Sequence, residues 1–394
     1  MRILLLNVTY GIGSTGRIVK CLHKEYLKLG YECKVLVGRK SDFYNSRIIK
    51  LSLELESKIH HAISRITGNL YGGMFFSTHR IIKFIKKEKP DIVHLHCVNG
   101  FFVNVYKLLT FLKKSNIHCV LTNHADFMFT ANCGYSKNCQ KWLTSGCRKC
   151  DHVHEFNSKL SMDRTSHYFK KMNNCFENFK NLSITNVSDW LTARSTNSIV
   201  QGNIKVNKTI LNPVDEKEFS DFGDNPYSPN KKNVFYCTPD FNNDEKGGKR
   251  IFSLARMMPN VEFWIKTPVQ TAAIENLPNL HFISGREPLK NYYHYADSSI
   301  ILSKVETFSM VVAESLFCGT PVVGFRCGGP ESIALKEFSV FVEQEDYKTF
   351  TKSLIKTFSL KNSADKIIDE ATAKYSVSII ASQYIDLYKE LMEQ

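Results

Sequence analysis

Apolar residues follow two alternating rhythms along this chain. Residues 1–8 are largely apolar and are closed by Tyr10-Gly11-Ile12-Gly13, which predicts a buried strand. From Thr15 the period changes. Ile18, Val19, Leu22, Tyr26 and Leu27 recur at helical spacing, and Gly30 follows them, so a helix should end there. Residues 33–37, 92–95 (after Pro90-Asp91) and 118–122 (after another helical stretch) read as further strands. Strand and helix in alternation predict a doubly wound parallel sheet.

The pattern restarts near residue 233. Residues 233–237, 261–265, 280–283, 299–302 and 321–325 are strand candidates separated by helical or turn segments. Between the halves, residues 223–230 are rich in Gly, Pro, Asn and Asp and read as a loop or linker. The economical architecture is α/β, with two Rossmann-like domains facing across a cleft. Domain boundaries are expected at 1–212 and 213–375. A final segment, 376–394, carries Ile380, Tyr384, Leu387 and Leu391 at amphipathic-helix spacing and is expected to pack back on the N-terminal domain. No solenoid-length repeat is visible.

Composition narrows the class. With 394 residues, 43% hydrophobic and 23% charged, the chain is too apolar to be disordered and long enough for two domains. Its most apolar stretch, residues 101–112, falls short of the ~18 needed to span a bilayer, and its start lacks a signal-peptide cleavage site. A cytoplasmic protein is expected. Charge is uneven: residues 1–212 hold 32 Lys and Arg against 13 Asp and Glu, whereas residues 213–394 hold 20 against 25. A basic half suits an anionic partner. Nucleic acid, an anionic membrane surface and phosphorylated substrates all meet that description. Twelve cysteines in a cytosolic chain argue against a disulfide framework.

Three motifs suggest chemistry. The first is Gly11-Ile12-Gly13-Ser14-Thr15-Gly16, a G-x-G-x-x-G between strand and helix. Its glycines let backbone amides approach a phosphate, and the helix N-terminus adds partial positive charge. The acidic residue a dinucleotide site would want after the second strand is replaced by Gly38-Arg39-Lys40, which would suit only a 2′-phosphate. The second runs from Glu306 to Glu314 through Thr307, Phe308, Ser309 and Met310, followed by Cys318-Gly319-Thr320-Pro321-Val322-Val323-Gly324-Phe325 and Gly328-Gly329-Pro330-Glu331. A helical run between the glutamates would set them about two turns apart on one face. Carboxylates there accept from sugar hydroxyls while helix amides donate to phosphate.

This second run resembles the donor-site signature of glycosyltransferase family 4, the retaining, nucleotide-sugar-dependent enzymes of the GT-B fold. The resemblance implies that Glu306 meets the donor sugar's hydroxyls and Glu314 the nucleotide ribose. Backbone at Thr307, Phe308, Ser309 and Met310 would meet sugar and phosphates. Asp244-Glu245-Lys246-Gly247 resembles the element whose lysine neutralises the diphosphate, and Gly11, Gly13, Ser14, Thr15 and Gly16 the family's glycine loop. Residues 187–191 and 210–215 resemble the segments entering the second domain, so the match covers nearly the whole chain. A second diphosphate arginine is missing from residues 238–243. Lys246 acts alone, or Arg286 or Arg326 substitutes.

The third motif, Asn123-His124-Ala125-Asp126 through Ala131-Asn132-Cys133, continues to Cys139, Trp142, Cys147 and Cys150. It resembles the colanic-acid and exopolysaccharide subgroup of that family, with Ala125 and Ala131 replacing an Asp and a Gly. The resemblance sets His124, with Lys246 and Glu306, among the catalytic residues, against the transferred sugar. Cys133, Cys139, Cys147 and Cys150 could complete one structural zinc site in an insertion over about 130–155, or remain reduced thiols. His96 and Asn99, after a strand, resemble the acceptor-side segment. Residues 80–89 form a cationic amphipathic pattern: a solvated helix face, or a dock for anionic lipid headgroups.

These implications describe a hexosyl-type transferase that needs no catalytic metal or other cofactor. Its donor would be a nucleoside-diphosphate sugar and its acceptor a polyprenyl-diphosphate-linked saccharide, at the inner face of the plasma membrane. An NADP oxidoreductase would use only the first loop. A zinc-bearing nucleic-acid-binding protein would use the basic half, yet no recognition helix or RNA-binding motif appears, and no nucleic-acid partner is expected.

Overall fold

The computed structural model describes residues 1–131, 133–156, 158–228, 230–268, 276–283 and 288–393. The chain divides into two compact units: residues 1–211 with 380–394, and residues 212–379.

Unit 1 holds a seven-stranded parallel sheet: β1 (Arg2–Tyr10), β2 (Glu32–Ser41), β3 (Ile48–Lys50), β4 (Ile92–Leu95), β5 (His118–Asn123), β6 (Leu182–Asn186) and β7 (Val206–Thr209), in the order β3-β2-β1-β4-β5-β6-β7. Ile3, Leu4, Leu5 and Leu6 are buried on both faces of β1, which is why an apolar run rather than an alternation marks this strand. Helix α1 (Gly13–Lys28) buries Ile18, Val19, Leu22 and Tyr26, and the chain leaves it at Gly30 with φ +83°. Helices α2 (Glu54–Thr67) and α3 (Phe75–Glu88) follow β3. From Ile380 onward the C-terminal helix Val377–Met392 belongs to this unit. Tyr388 Oη lies 2.6 Å from His94 Nδ1, and Tyr384 Oη lies 3.0 Å from Thr122 Oγ1.

Unit 2 holds six parallel strands: β8 (Lys232–Cys237), β9 (Val261–Lys266), β10 (Leu280–Ile283), β11 (Ser298–Ile301), β12 (Val322–Phe325) and β13 (Ser339–Val342), ordered β10-β9-β8-β11-β12-β13. Its core gathers Val234, Tyr236, Phe263, Ile265, Ile300, Val323 and Phe325 with Phe350 and Leu354. Both sheets are doubly wound, as the alternation predicts.

Two readings need correction. The breaker-rich stretch is a loop, as one of its two readings has it, but it lies within unit 2 rather than between the halves, because its polar and aromatic groups find partners there. Gly223 N donates to Asn291 Oδ1 (3.0 Å), and Tyr227 Oη to the Tyr292 carbonyl (2.6 Å); Pro229 lies outside the described residues. The strands β3, β6, β7 and β13 were also not anticipated. β6 and β7 read Leu-Ser-Ile-Thr-Asn and Val-Asn-Lys-Thr, too polar for an apolar-run criterion. Among the described residues, no helix is long and apolar enough to cross a membrane.

Candidate functional site

In unit 2 the strand order reverses between β8 and β11, the place where open α/β sheets bind ligands at the strands' carboxyl ends. Lys246 sits in a turn after β8. Tyr236 Oη donates to its carbonyl (2.8 Å), and Lys304 N donates to the Glu245 carbonyl (2.8 Å), fixing the turn from both sides. Its ammonium donates to Glu306 Oε1 at 2.8 Å, and Ser303 Oγ donates to the same oxygen at 2.9 Å. Lys246, Glu306, Ser303, Ser309 and Thr238 line one small cavity.

Glu306 is not on a helix. Its backbone makes a parallel bridge to Gly328: Glu306 N donates to the Cys327 carbonyl (2.9 Å), and Gly329 N to the Glu306 carbonyl (2.8 Å). A Cβ at position 329 would run into the Thr307 carbonyl, so this approach requires glycine. The helix begins only at Met310, after Ser309 turns the chain with φ +76°. The expectation that both glutamates share one helix face is therefore corrected: only Glu314 is helical. Phe308 is buried, while Met310 opens the helix Met310–Phe317, whose first amides lack intrahelical partners. Glu314 is buried, and Tyr293 Oη donates to its Oε2 at 3.3 Å.

The remaining signature residues brace this arrangement. Glu331, missed as a site residue, accepts from Cys327 N (2.8 Å) and Gly328 N (2.9 Å) and so clamps the loop that bridges to Glu306. Burial raises its pKa above the usual carboxylate range. Lys361 donates to the Gly319 carbonyl (2.9 Å) and Thr320 Oγ1 (2.7 Å), which ties the Cys318-Gly319-Thr320-Pro321 turn. Arg326, considered as a second diphosphate cation, pairs with Glu343 at 3.0 Å. Arg286 lies outside the described residues, as does Asn132. Arg250, which sequence reading passed over, donates to the Leu302 carbonyl (2.9 Å) and pairs with Glu345.

In unit 1 the strand order reverses between β1 and β4. Gly11–Gly16 follows β1, and His96 and Asn99 follow β4, so both groups stand at that reversal. Gly11 has φ +71° and its amide donates to the Gly16 carbonyl (2.9 Å). Gly13, Ser14, Thr15 and Gly16 open α1. His96 N donates to the Leu6 carbonyl (2.9 Å), and His96 Nδ1 lies 3.1 Å from Nε2 of His124, the first residue after β5. His94, its ring tilted 33° to that of His96 with centroids 4.1 Å apart, completes a row of imidazoles. Burial holds His94 down at about 3 and His124 at about 4; burial likewise lowers His96, followed by its two imidazole neighbours.

All three are thus neutral when folded, whereas an unfolded chain protonates them near the ordinary ~6.5. Depressed folded values mean stability fully present above about pH 6.5 and lost as pH falls toward 4. Melting curves at pH 7.5 and 5 should show unit 1 weakening. An unchanged transition would mean the imidazoles are solvated.

After His124 the chain enters a 3-10 turn, Asp126–Met128. Asp126 is fully buried: Ser136 N donates to it (2.9 Å), and Arg194 donates to both its oxygens (3.2 and 2.5 Å). Arg194 in turn stacks over Trp142 and Trp190. Neither Asp126 nor Arg194 was singled out from sequence. Cys133, Cys139, Cys147 and Cys150 line one small apolar cavity beside Trp142. All four thiols are free, and burial raises Cys147 to about 12 and shifts Cys133 and Cys150 upward. Among the described residues no group of three or more His, Cys, Asp or Glu could hold a metal ion. Burial favours the protonated form of Cys133, Cys147 and Cys150, which pack beside Trp142 as small apolar groups.

Comparison with known proteins adds independent findings. Residues 15–154 match the family model for Glycosyltransferase Family 4, and residues 265–374 that for Glycosyl transferases group 1. The chain is 19% identical, over 99% of its length and 100% of the relative's, to WcaC of Escherichia coli K12, described as a colanic acid biosynthesis glycosyl transferase. Its fold matches sucrose-phosphate synthase of Thermosynechococcus elongatus (TM-score 0.70, 14% identity, covering 100% of this chain and 99% of that one). It also matches Anabaena Alr3699/HepE in complex with UDP (0.66, 13%, covering 99% and 100%).

Proposed function

We propose that this chain is a glycosyltransferase that moves a sugar, with retention at the anomeric carbon, from a nucleoside-diphosphate sugar to a lipid-linked saccharide, a reading that its matches to the two glycosyltransferase family models support. The observation carrying this reading is the Lys246–Glu306 pair, held at 2.8 Å at the reversal point of the unit 2 sheet beside a helix N-terminus. A cation, a carboxylate and unpartnered amides are what a diphosphate joined to a polyhydroxyl ring requires. The UDP complex of HepE supports a nucleotide donor, and WcaC supports a polysaccharide product.

In this mechanism Lys246 and the amides around Met310 take up charge on the departing diphosphate. Glu306 accepts from the sugar hydroxyls, and Glu314 accepts from the ribose. As the glycosidic C–O bond breaks, the leaving phosphate oxygen receives the acceptor's hydroxyl proton, and the new bond forms on the same face. The protein contributes alignment and fixed charge rather than a covalent nucleophile. His124, neutral through burial, hydrogen-bonds the transferred sugar, and His96 orients its ring. The glycine loop and Asn99 serve the acceptor side. No metal enters any step.

Assaying purified protein for nucleoside-diphosphate release across a panel of nucleotide sugars tests the reading; no release with any donor and acceptor would sink it. Lys246→Ala is expected to weaken nucleoside-diphosphate binding by about 1.5–3 kcal/mol, the range for a hydrogen bond to a charged group, or roughly 10–150-fold. Calorimetry showing unchanged affinity would move the phosphates elsewhere.

A further inference from the structure

Helix α2 is built inside out. The residues it turns into unit 1 are Ser57, His60 and Ser64. Leu55, Ile59, Ile63 and Ile66 lie on the opposite side, each at least half exposed, with Leu55 at 71%. Four apolar residues at this spacing ordinarily form the stripe that faces a core. The reversal is fixed by specific bonds. Ser57 Oγ donates to the Phe101 carbonyl (2.6 Å), and His60 packs edge-on against the Phe101 ring. Glu56 accepts from Phe76 N (2.8 Å) and Ser77 N (2.9 Å), which locks α2 to the first turn of α3. The stripe cannot roll inward without breaking these.

The patch continues at both ends. Phe75 and Phe76 project from the start of α3, Phe76 being 71% exposed. Met162 N donates to the Ile66 carbonyl (2.9 Å), bringing exposed Met162 and Leu160 to the end of α2. Cations border it. Lys58 and Arg65 lie on α2, and Arg80, Lys83, Lys86 and Lys87 form the exposed face of α3. The acids of the two helices are engaged: Glu54 with Lys50 and Arg39, Glu56 at the α3 amides, Glu88 with Lys34.

We infer that this face docks on an anionic lipid bilayer, with the α2 stripe and the two phenylalanines inserted below the headgroups. An apolar stripe flanked by lysine and arginine, on a helix too short to span, matches a helix lying in the interface plane. A self-pairing copy of the chain would set the same cations against each other. The inference rests on the lipid-linked acceptor of the proposed function for its purpose. It extends the cationic contact expected from residues 80–89 by adding insertion, which salt does not screen.

Co-sedimentation with vesicles of phosphatidylglycerol and phosphatidylcholine, without donor or acceptor, tests it. The protein should bind these vesicles at low salt, retain a bound fraction at high salt, and bind pure phosphatidylcholine weakly. The variant Ile59→Ser/Ile63→Ser/Phe76→Ser should bind at least tenfold more weakly and lose its salt-resistant fraction, with its melting curve and nucleoside-diphosphate affinity unchanged. As a second readout, Ile63→Trp should gain blue-shifted emission on vesicles, quenched by brominated acyl chains. Wild-type binding by the triple variant, or no emission shift, would overturn the inference. So would a dimer that the triple variant dissolves while vesicles bind neither form, since the patch would then pair two copies. Failure here with normal nucleotide release leaves the glycosyltransferase reading intact. Vesicle binding without release would do the reverse.

Discussion

Replacing Glu306 with alanine is expected to lower sugar transfer by about 10²–10³-fold, the loss typical when one preorganised charge-stabilising group is removed from a reacting centre. The fold should survive. The Glu306 backbone bonds to Cys327 and Gly329 do not involve its side chain, and of the carboxylate's partners Lys246 is partly exposed and can rehydrate, while Ser303 is a buried hydroxyl. Nucleoside-diphosphate affinity should hold or rise, because Lys246 no longer has to leave a carboxylate 2.8 Å away to meet a phosphate. Glu306→Gln keeps the shape but not the charge and should fall between. Turnover at saturating donor and calorimetry of the nucleoside diphosphate separate the two effects. Near-normal turnover would remove Glu306 from the donor site.

Asp126→Ala should produce the largest loss of stability, about 3 kcal/mol. That is the low end of the cost of breaking a buried ion pair, because the Arg194 side chain is 20% exposed and can partly rehydrate. For a unit of this size the melting transition should fall by about 6–12 °C. The loop after His124 loses its anchor at the same time, since Ser136 and Arg194 both bind this carboxylate. Transfer should therefore drop beyond what unfolding alone explains. Pairing Asp126→Leu with Arg194→Met removes both charges and should recover most of the stability. A shift of only a degree or two for the single variant would mean that water already reaches Asp126.

Much of the architecture was legible because its central strands are continuous apolar runs, and α1 carries one unbroken stripe. The polar strands were not. In β6, Thr185 Oγ1 lies 2.7 Å from Thr122 Oγ1, and Asn186 accepts from Asn123 Nδ2 (2.9 Å). Side chains that look solvent-facing in sequence are buried by partners far along the chain. The same limit applies to the candidate site. Lys246, Glu306, Glu314 and His124 were visible through motif resemblance. Their pairing was not, because Lys246 and Glu306 lie 60 residues apart, as Asp126 and Arg194 lie 68 apart. The spacing between Glu306 and Glu314 misled for a local reason: the turn at Ser309 interrupts what reads as one helix. In α2 the apolar positions recur at helical spacing yet face outward, since a period carries no information about which side is covered.

Unit 1 closes only when the chain returns to it at Ile380, and this has a consequence for synthesis on the ribosome. His94 and Thr122 emerge early, but their partners Tyr388 and Tyr384 appear only after all of unit 2 has been made. At about 5–20 residues per second that interval is on the order of ten seconds or more. Throughout it the nascent N-terminal sheet carries an uncovered row of imidazole and hydroxyl groups, alongside the apolar positions that Ile380, Leu387 and Leu391 later cover. Unit 2, continuous in sequence, can mature first. The helix Val377–Met392 then acts as a latch, and unit 1 depends on it, or on a chaperone holding its place, until that helix has been made.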